Sequence, residues 1–300
     1  MPAGDISAIA YQQSHTRNRI PAIAMPAIAT LSAAARRARA TLSHWRTLLP
    51  GDCPLCGDRA RAGRLCAPCE RELCWHARTG PALGLPWRCP RCALPLDGHD
   101  EPCPDCAGRD TAFDRTIAAF DYGPPGDALI LEFKHGRRYP RADMLGNLLA
   151  EAVRHDRLPL APSTVLLPVP AGMASLRARG FNPAAEIARA AARDLGLPLR
   201  RGWLWRTREQ ARQATQGRGG RLRAAEGLYA CSPAVAGRRL ALVDDVMTTG
   251  ATLHAAAAAL KQAGAREVVA LAVARTPHAP RNVRRQGPWA AGPAVRGHGY

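Results

Sequence analysis

Residues 240–252, with the sequence LALVDDVMTTGAT, combine an apolar run, two acids, a hydroxyl-rich loop and the start of a helical pattern. A loop at a helix N-terminus presents free backbone N–H groups to a phosphate, and the helix dipole favours the anion. Gly250 allows close backbone approach, and the hydroxyls of Thr248, Thr249 and Thr252 can donate to phosphate oxygens. The segment therefore predicts a phosphate-binding loop, with an ordinary strand–turn–helix as the alternative.

The two acids of this segment, Asp244 and Asp245, follow the predicted strand 239–243. In open α/β sheets, ligands bind at the carboxyl ends of the strands. Two carboxylates there can accept hydrogen bonds from vicinal ribose hydroxyls or hold Mg²⁺. The Gly-Lys-Ser/Thr of a Walker loop is missing, so the segment does not indicate nucleoside triphosphate hydrolysis.

Eight of the ten cysteines form four Cys-x-x-Cys pairs, arranged in two blocks. Two such pairs can complete a tetrahedral Zn²⁺ site, and four thiolates leave no open coordination position, so each site would be structural. The gap between the pairs of a block fits a short hairpin. Block one is Cys53, Cys56, Cys66 and Cys69, and block two is Cys89, Cys92, Cys103 and Cys106.

Other interpretations of the cysteines remain open at the level of sequence. Free thiols, an iron–sulfur cluster, or pairing across the two blocks would use the same residues. Cys74 and Cys231 lie outside the pattern and are interpreted as buried or spare thiols.

Hydrophobic spacing beyond the cysteines predicts alternating strands and helices. Buried strands are expected at 116–122, 164–169, 239–243 and 267–274, and helices at 127–135, 142–154, 182–195 and 252–263. Asn182 should cap its helix, with Pro183 in the first turn, and Gly264 should end the last helix. Such alternation implies an α/β fold with a parallel sheet covered on both faces.

Composition divides the chain into four zones. An Ala-rich extension, partly helical or disordered, covers 1–48; the cysteine region covers 49–110; the α/β domain covers 111–278; and a disordered Pro-, Gly- and Arg-rich tail covers 279–300. A secretory signal and a transmembrane segment are not expected, which favours a cytoplasmic protein without stable membrane insertion. An organellar presequence is the alternative for residues 30–49.

The formal charge is +18, from 42 basic and 24 acidic residues, and the cations are almost all arginine. A basic surface of this size favours polyanionic partners such as nucleic acid. Trp203 and Trp205 flank an arginine-rich stretch and are candidates for base stacking, with core packing as the alternative.

The chain resembles the ComF family (ComFC/GntX-like proteins), in which a double zinc ribbon precedes a type I phosphoribosyltransferase domain. The resemblance covers about residues 50–276 and includes the phosphate loop together with four shorter motifs and the arginine-bearing segment 206–229. Two positions depart from the family pattern, Pro183, where Gln is usual, and the region of Ala224, where Asn is usual. The motifs are Ala119-Phe120-Asp121-Tyr122, Phe133-Lys134-His135-Gly136, Leu167-Pro168-Val169-Pro170 and Arg177-Ala178-Arg179-Gly180-Phe181-Asn182.

The resemblance implies binding of phosphoribosyl diphosphate with Mg²⁺. It implies that Asp244 and Asp245 hold the ribose hydroxyls as catalytic residues. The arginine-rich residues 200–223 are a candidate for a mobile loop that excludes water, with a solvated basic loop as the alternative. The remaining substrate contacts fall into three groups. The 5-phosphate would meet Met247, Thr248, Thr249, Gly250, Ala251 and Thr252; the diphosphate turn would be Val169, Pro170 and Ala171; and the cations facing the diphosphate would be Lys134, Arg177 and Arg179.

Three functions are compatible with this resemblance. The first is phosphoribosyl transfer to a base or another nucleophile. The second is a non-catalytic, nucleic-acid-binding role that assists single-stranded DNA transport with DNA-uptake proteins, as the ComF resemblance implies for competent bacteria. The third is a module that binds the sugar phosphate and catalyses nothing.

Overall fold

A computed structural model of the chain describes residues 50–61, 63–74, 87–96, 98, 102–108, 110–135, 140–207 and 227–277. The predicted extension 1–48, the tail 279–300 and most of the loop 200–223 lie outside these residues. Across the described residues, no helix has the length and apolar character needed to cross a bilayer.

Each cysteine block begins with a small antiparallel hairpin. In block one, strands β1 (Pro50–Asp52) and β2 (Arg59–Arg61) pair around the Cys53–Cys56 turn, and helix α1 (Ala67–Leu73) follows. In block two, strands β3 (Trp87–Arg88) and β4 (Pro95–Leu96) pair around Cys89–Cys92. Among the described residues, the hairpin of each block encloses the first Cys pair, because the tight Cys-x-x-Cys turn itself reverses the chain. The hairpin expected between the two Cys pairs of a block stays a prediction, since residues 62, 97 and 99–101 lie outside the described residues.

In the described part of the chain, four parallel strands form the central sheet, as the sequence predicts. They are β5 (Arg115–Asp121), β6 (Val165–Pro168), β9 (Arg239–Met247) and β10 (Glu267–Arg275), in the order β5–β10–β9–β6. Strand β9 continues past the predicted end at residue 243, since Asp244 and Val246 still pair with Ala272 and Ala274 of β10. The two acids thus lie within a strand rather than in the loop that follows it.

A separate antiparallel pair, β7 (Leu204–Arg206) and β8 (Tyr229–Cys231), frames the ends of the segment 208–226. A short 3-10 turn at Pro233–Val235 leads from β8 into β9.

Helices cover both faces of the sheet. One face carries α2 (Gly126–His135), α3 (Pro140–His155) and α5 (Pro183–Leu195), whose buried side chains join those of Ala241, Val243 and Leu271. The other face carries α6 (Ala251–Gln262), which packs with Leu240, Leu242 and Ala270. Successive strand residues alternate between the two cores, as the pleat requires.

Helix ends follow the predicted capping chemistry. Asn182 caps α5, its side chain accepting a hydrogen bond from the Ala184 N–H at 3.1 Å, and Pro183 occupies the first turn. Gly264, with φ of +85°, follows the C-terminal cap of α6. The short helix α4 (Met173–Arg179) ends at Gly180 in the left-handed region.

The two cysteine blocks pack into opposite cores of the domain. Cys53, Cys66 and Cys69 belong to the core beneath α2, α3 and α5, whereas Cys89 and Cys92 belong to the core that includes α6. Each block therefore supplies buried apolar surface to one face of the sheet. The predicted boundary between 49–110 and 111–278 remains a prediction.

Candidate functional site

A cavity of about 440 Å³ lies at the carboxyl end of the sheet. Its walls come from the ends of β6 and β9, the first turn of α6, helix α4 and the β7–β8 pair. Most of the predicted binding residues line it. They are Lys134, Val169, Pro170, Ala171, Arg179, Asp244, Asp245, Thr248, Thr249, Ala251 and Thr252.

The two aspartates are held by their own strand. The Asp245 N–H donates to Oδ1 of Asp244 at 2.9 Å, and the Val246 N–H donates to Oδ1 of Asp245 at 2.7 Å. Burial raises the pKa of Asp244 to about 8, and the adjacent Asp245 carboxylate adds to the rise. Asp244 thus has few groups that stabilise its negative charge, which is the condition in which a carboxylate gains from a bound cation.

The second aspartate has a cationic partner. Lys134, near the end of α2, places Nζ 2.9 Å from Oδ2 of Asp245, and both side chains are largely buried. The resemblance implies that Lys134 faces the diphosphate, and the structure adds this direct contact with the acidic pair. One lysine can thereby orient Asp245 and lower the net negative charge of the pair.

The phosphate loop is shaped by a glycine in the left-handed region. Gly250 has φ of +74° and precedes the first residue of α6. A Cβ at this position would stand 2.6 Å from Cε of Met247, which is buried beneath the loop. The sequence predicts that Gly250 serves close approach to the ligand. The structure gives it a second reason, the side chain packed directly beneath it.

Three predicted residues do not line the cavity. Met247 and Gly250 are buried and form the base of the phosphate loop. Arg177 is exposed on α4, while Arg179 reaches the cavity. Side chains two positions apart on a helix point in directions that differ by roughly 200° around the helix axis. Arg177 and Arg179 therefore cannot both face one site.

The turn after β6 is held by the cap of α5. Nδ2 of Asn182 donates to the carbonyl oxygen of Val169 at 2.9 Å, while its Oδ1 caps the helix. One side chain therefore fixes the turn Val169–Pro170–Ala171 relative to α5. Sequence analysis identified the capping role of Asn182 but not its contact with this turn.

Sequence reasoning missed Tyr229, which lines the cavity from β8. Its ring is 5% exposed, and Cζ of Arg206 lies 6.0 Å from the ring centroid. Burial raises the pKa of Tyr229 to about 12, so its hydroxyl stays protonated near neutral pH. A signal was available in the sequence, since Arg206 and Tyr229 bound the arginine-bearing segment at its two ends.

The cysteines assemble within their blocks. In each block the four Sγ atoms lie within 4.8 Å of one another. Cys92 and Cys103 approach to 3.5 Å, and Cys89 and Cys106 to 3.7 Å. A Zn–S bond of about 2.3 Å gives a tetrahedral edge of about 3.8 Å, so these donor sets fit Zn²⁺. Pairing across the blocks is not the arrangement found.

Comparison with known proteins agrees with this architecture. A phosphoribosyl transferase domain family matches residues 177–289. DNA utilization protein YhgH of Escherichia coli O157:H7 is 31% identical over 232 residues, covering 76% of this chain and 98% of the relative. Competence protein F of Haemophilus influenzae is 26% identical over 216 residues, which cover 70% of this chain and 90% of the relative.

Among solved structures, glutamine phosphoribosylpyrophosphate amidotransferase from B. subtilis is 22% identical, with a TM-score of 0.30 over 43% of this chain and 25% of that longer one. Three findings lead to one family assignment. They are the similarity along nearly the whole length of the YhgH relative, the match to the phosphoribosyltransferase domain and the two four-cysteine groups. The chain belongs to the ComF family.

Proposed function

We propose that the chain binds phosphoribosyl diphosphate with Mg²⁺ in the cavity at the carboxyl end of the sheet and acts as a phosphoribosyltransferase. One observation supports this most strongly. A single cavity is lined by two adjacent acids, a hydroxyl-rich loop at a helix N-terminus, and three cations, Lys134, Arg179 and Arg206. Ribose hydroxyls, a 5-phosphate and a diphosphate require those three kinds of group.

In this proposal, the phosphate loop holds the 5-phosphate. The first backbone N–H groups of α6 and the hydroxyls of Thr248, Thr249 and Thr252 donate to its oxygens. Asp244 and Asp245 accept hydrogen bonds from the ribose hydroxyls and hold Mg²⁺, for which carboxylate oxygens are suitable ligands. Bound Mg²⁺ would neutralise the charge that develops on the diphosphate.

Transfer breaks the bond between C1 and the diphosphate oxygen, and the electron pair leaves with the diphosphate. A nucleophile then forms the new bond to C1 and loses its proton to solvent or to a nearby base. Arg179 and Lys134 stabilise the departing anion, and the fixed ribose keeps C1 in line with the acceptor. Water must be kept away from C1, and the β7–β8 pair with Tyr229 closes one side of the cavity.

Binding can be tested by titration calorimetry with phosphoribosyl diphosphate and Mg²⁺. The wild-type protein should show saturable binding, and Asp244→Asn with Asp245→Asn should abolish it. Asp143→Asn with Glu151→Gln is a matched control, since it removes two acids outside the cavity and should retain affinity. Equal affinity in both double variants would refute the assignment of the site.

Catalysis is tested separately, by diphosphate release in the presence of candidate nucleophiles. A transferase releases diphosphate only when an acceptor is present and loses this activity in the Asp244→Asn variant. Saturable binding without release for any acceptor would favour the non-catalytic module.

The link to DNA is a second part of the proposal. The names of the relatives refer to DNA utilization and competence. The charge of +18 and the 45% exposed Trp205 of β7 are consistent with contact to single-stranded DNA. Affinity for an oligothymidine should fall steeply between 50 and 200 mM salt, on the order of tenfold or more.

The contribution of Trp205 can be measured against a matched position. Trp205→Ala should weaken oligothymidine binding, whereas Leu158→Ala, which truncates another exposed apolar side chain, should not. Equal affinities for the two variants would remove Trp205 from the DNA contact.

A further inference from the structure

One arginine lies between the second cysteine block and the phosphate loop. Arg275, the last residue of β10, is 1% exposed. Towards block two, its Nη2 pairs with Oδ2 of Asp105 at 2.5 Å and its Nε donates to the carbonyl oxygen of Cys92 at 2.8 Å. Towards the loop, its Nη1 donates to the carbonyl oxygens of Met247, at 3.3 Å, and Thr248.

Burying a guanidinium costs several kcal/mol unless its charge and its donors are satisfied. Here the charge is paired with Asp105, and the planar fork sends donors in two directions at once. Nη2 also lies 3.8 Å from Sγ of Cys92, a predicted metal ligand. A lysine has one nitrogen and could not reach both sides. The geometry is therefore specific to arginine.

A second contact joins the same two parts. The backbone N–H of Ala112, just after block two, donates to Nδ1 of His254 at 3.1 Å. His254 lies in the first turn of α6, two residues beyond Thr252. Block two is thus connected to the phosphate loop through Arg275, and the segment that follows it is connected to α6 through His254.

Block one has no corresponding contacts within the described residues, because it packs into the core on the opposite face of the sheet. Arg88, also in block two, pairs with Asp121 of β5 through two bonds of 2.9 Å and donates to the carbonyl oxygen of Ala93 at 2.8 Å. Arg88 and Arg275 are therefore a matched pair. Both have largely buried side chains that join block two to the sheet, and Arg275 in addition donates to the phosphate loop.

We propose that Arg275 is a positioning residue that connects block two to the phosphate loop. Through this residue, a metal ion bound in block two, and not one bound in block one, keeps the backbone of residues 247–252 well ordered. The part of this inference that concerns ligand affinity rests on the proposed function. Energetic coupling between two binding sites is reciprocal. A ligand on the loop should therefore retain the metal of block two.

The first test measures backbone hydrogen exchange of residues 247–252 in the zinc-loaded protein without ligand. Arg275→Lys keeps the charge but loses the two-sided fork, and should speed exchange in this segment about tenfold. Arg88→Lys should leave it unchanged. Equal exchange in wild type and Arg275→Lys, with both folded, overturns the proposal.

The second test compares the blocks. Cys103→Ser with Cys106→Ser should speed exchange of residues 247–252, whereas Cys53→Ser with Cys56→Ser should not. Should Arg275→Lys fail to fold, this comparison decides alone. Equal exchange in the two cysteine variants overturns the proposal.

The third test measures zinc release to a colorimetric chelator with and without phosphoribosyl diphosphate. The ligand should slow release from one of the two sites, and Arg275→Lys should remove this effect while Arg88→Lys retains it. Protein that binds no ligand contradicts the proposed function, while the exchange comparisons still decide the role of Arg275. Ligand binding that leaves zinc release unchanged contradicts the coupling.

Discussion

At the scale of single residues, the site contains an acid whose charged form is unfavourable without a ligand. Asp244 is partly buried next to another acid, and desolvation of its carboxyl raises its pKa well above the ordinary value. Gly250 adopts a left-handed conformation over a buried methionine, a conformation that glycine takes without strain because it lacks a Cβ. A carboxylate in the position of Asp244 gains from a cation that binds beside it.

The raised pKa of Asp244 predicts a dependence of stability on pH. The unfolded carboxyl titrates near 3.9 and the folded one near 8, so the folded state holds an extra proton in that window. This group therefore makes the ligand-free protein less stable as pH rises from about 4 to 8. Asp244→Asn should raise the thermal midpoint at pH 8 by a few degrees, and should change it little at pH 4.

Thermal unfolding of Asp143→Asn at both pH values provides the control, since this acid lies outside the cavity. The wild-type affinity for phosphoribosyl diphosphate with Mg²⁺ should also increase as pH rises towards 8, because the cation competes with the proton on Asp244. A midpoint for Asp244→Asn that is lower than wild type at pH 8 would contradict the burial argument.

Gly250 offers a second prediction, with a natural control. Gly250→Ala places a residue with a Cβ at φ of +74° and within 2.6 Å of Met247. Gly196→Ala has a similar φ of +68° and nothing within 4 Å. Gly196→Ala should cost about 1–2 kcal/mol of unfolding free energy from the backbone alone, and Gly250→Ala should cost more.

Denaturant unfolding of the two variants separates strain from packing. Gly250→Ala should cost less unfolding free energy in a Met247→Ala background than in wild type, because the truncated side chain no longer meets the new Cβ. Equal decreases in unfolding free energy for Gly196→Ala and Gly250→Ala would show that the contact with Met247 costs no stability.

The sequence predicted those site residues whose function depends on their neighbours in the chain. The acids, the loop and the four Cys pairs are recognisable because neighbours in sequence act together. It did not find the contact of Lys134 with Asp245, or the pairing of Arg275 with Asp105 beneath the loop, because each joins positions more than 100 residues apart. Such pairs depend on strand order and register, which periodicity does not specify.

At the scale of elements, the apolar periods located the four sheet strands and the four longer helices to within a few residues. The end of β9 was the main exception. Asp244 and Asp245 look like a loop by polarity, but pairing with β10 keeps them in the strand. The short pairs β7–β8 and β3–β4 have too few residues to produce a period, so hydrophobic spacing does not predict them.

A close contact between helices lies at Gly146, where α3 crosses α5. A Cβ there would lie 2.4 Å from Cβ of Ala190 and 2.9 Å from the backbone nitrogen of Ala191. Glycine to alanine normally stabilises a helix by about 1 kcal/mol. Here Gly146→Ala should destabilise the protein by roughly 1–3 kcal/mol, because the helices must separate.

The test is a double-mutant cycle by denaturant unfolding. Ala190→Gly opens space opposite Gly146, so Gly146→Ala should cost less in that background than in wild type. A stabilising Gly146→Ala would mean that α3 and α5 are not packed as closely as described.

At the scale of the whole molecule, the two cysteine blocks complete the two cores of one sheet. Block one closes the core beneath α2, α3 and α5, and block two closes the core on the α6 side. The small hairpins bury few side chains of their own. Metal binding can supply the folding free energy that such small elements lack. Loss of either metal should therefore lower the free energy of global unfolding of the domain, whereas the local exchange of residues 247–252 should respond to block two alone.

Elemental analysis should accordingly find about two zinc ions per chain. Cys53→Ser with Cys56→Ser, or Cys103→Ser with Cys106→Ser, should each leave about one and lower the thermal midpoint of the whole domain. Cys231→Ser is the matched control, since this thiol lies outside both blocks and donates to the Ala259 carbonyl oxygen. It should retain both ions. A folded, zinc-free wild type would refute the structural role, and iron with visible absorption would identify a cluster in place of zinc.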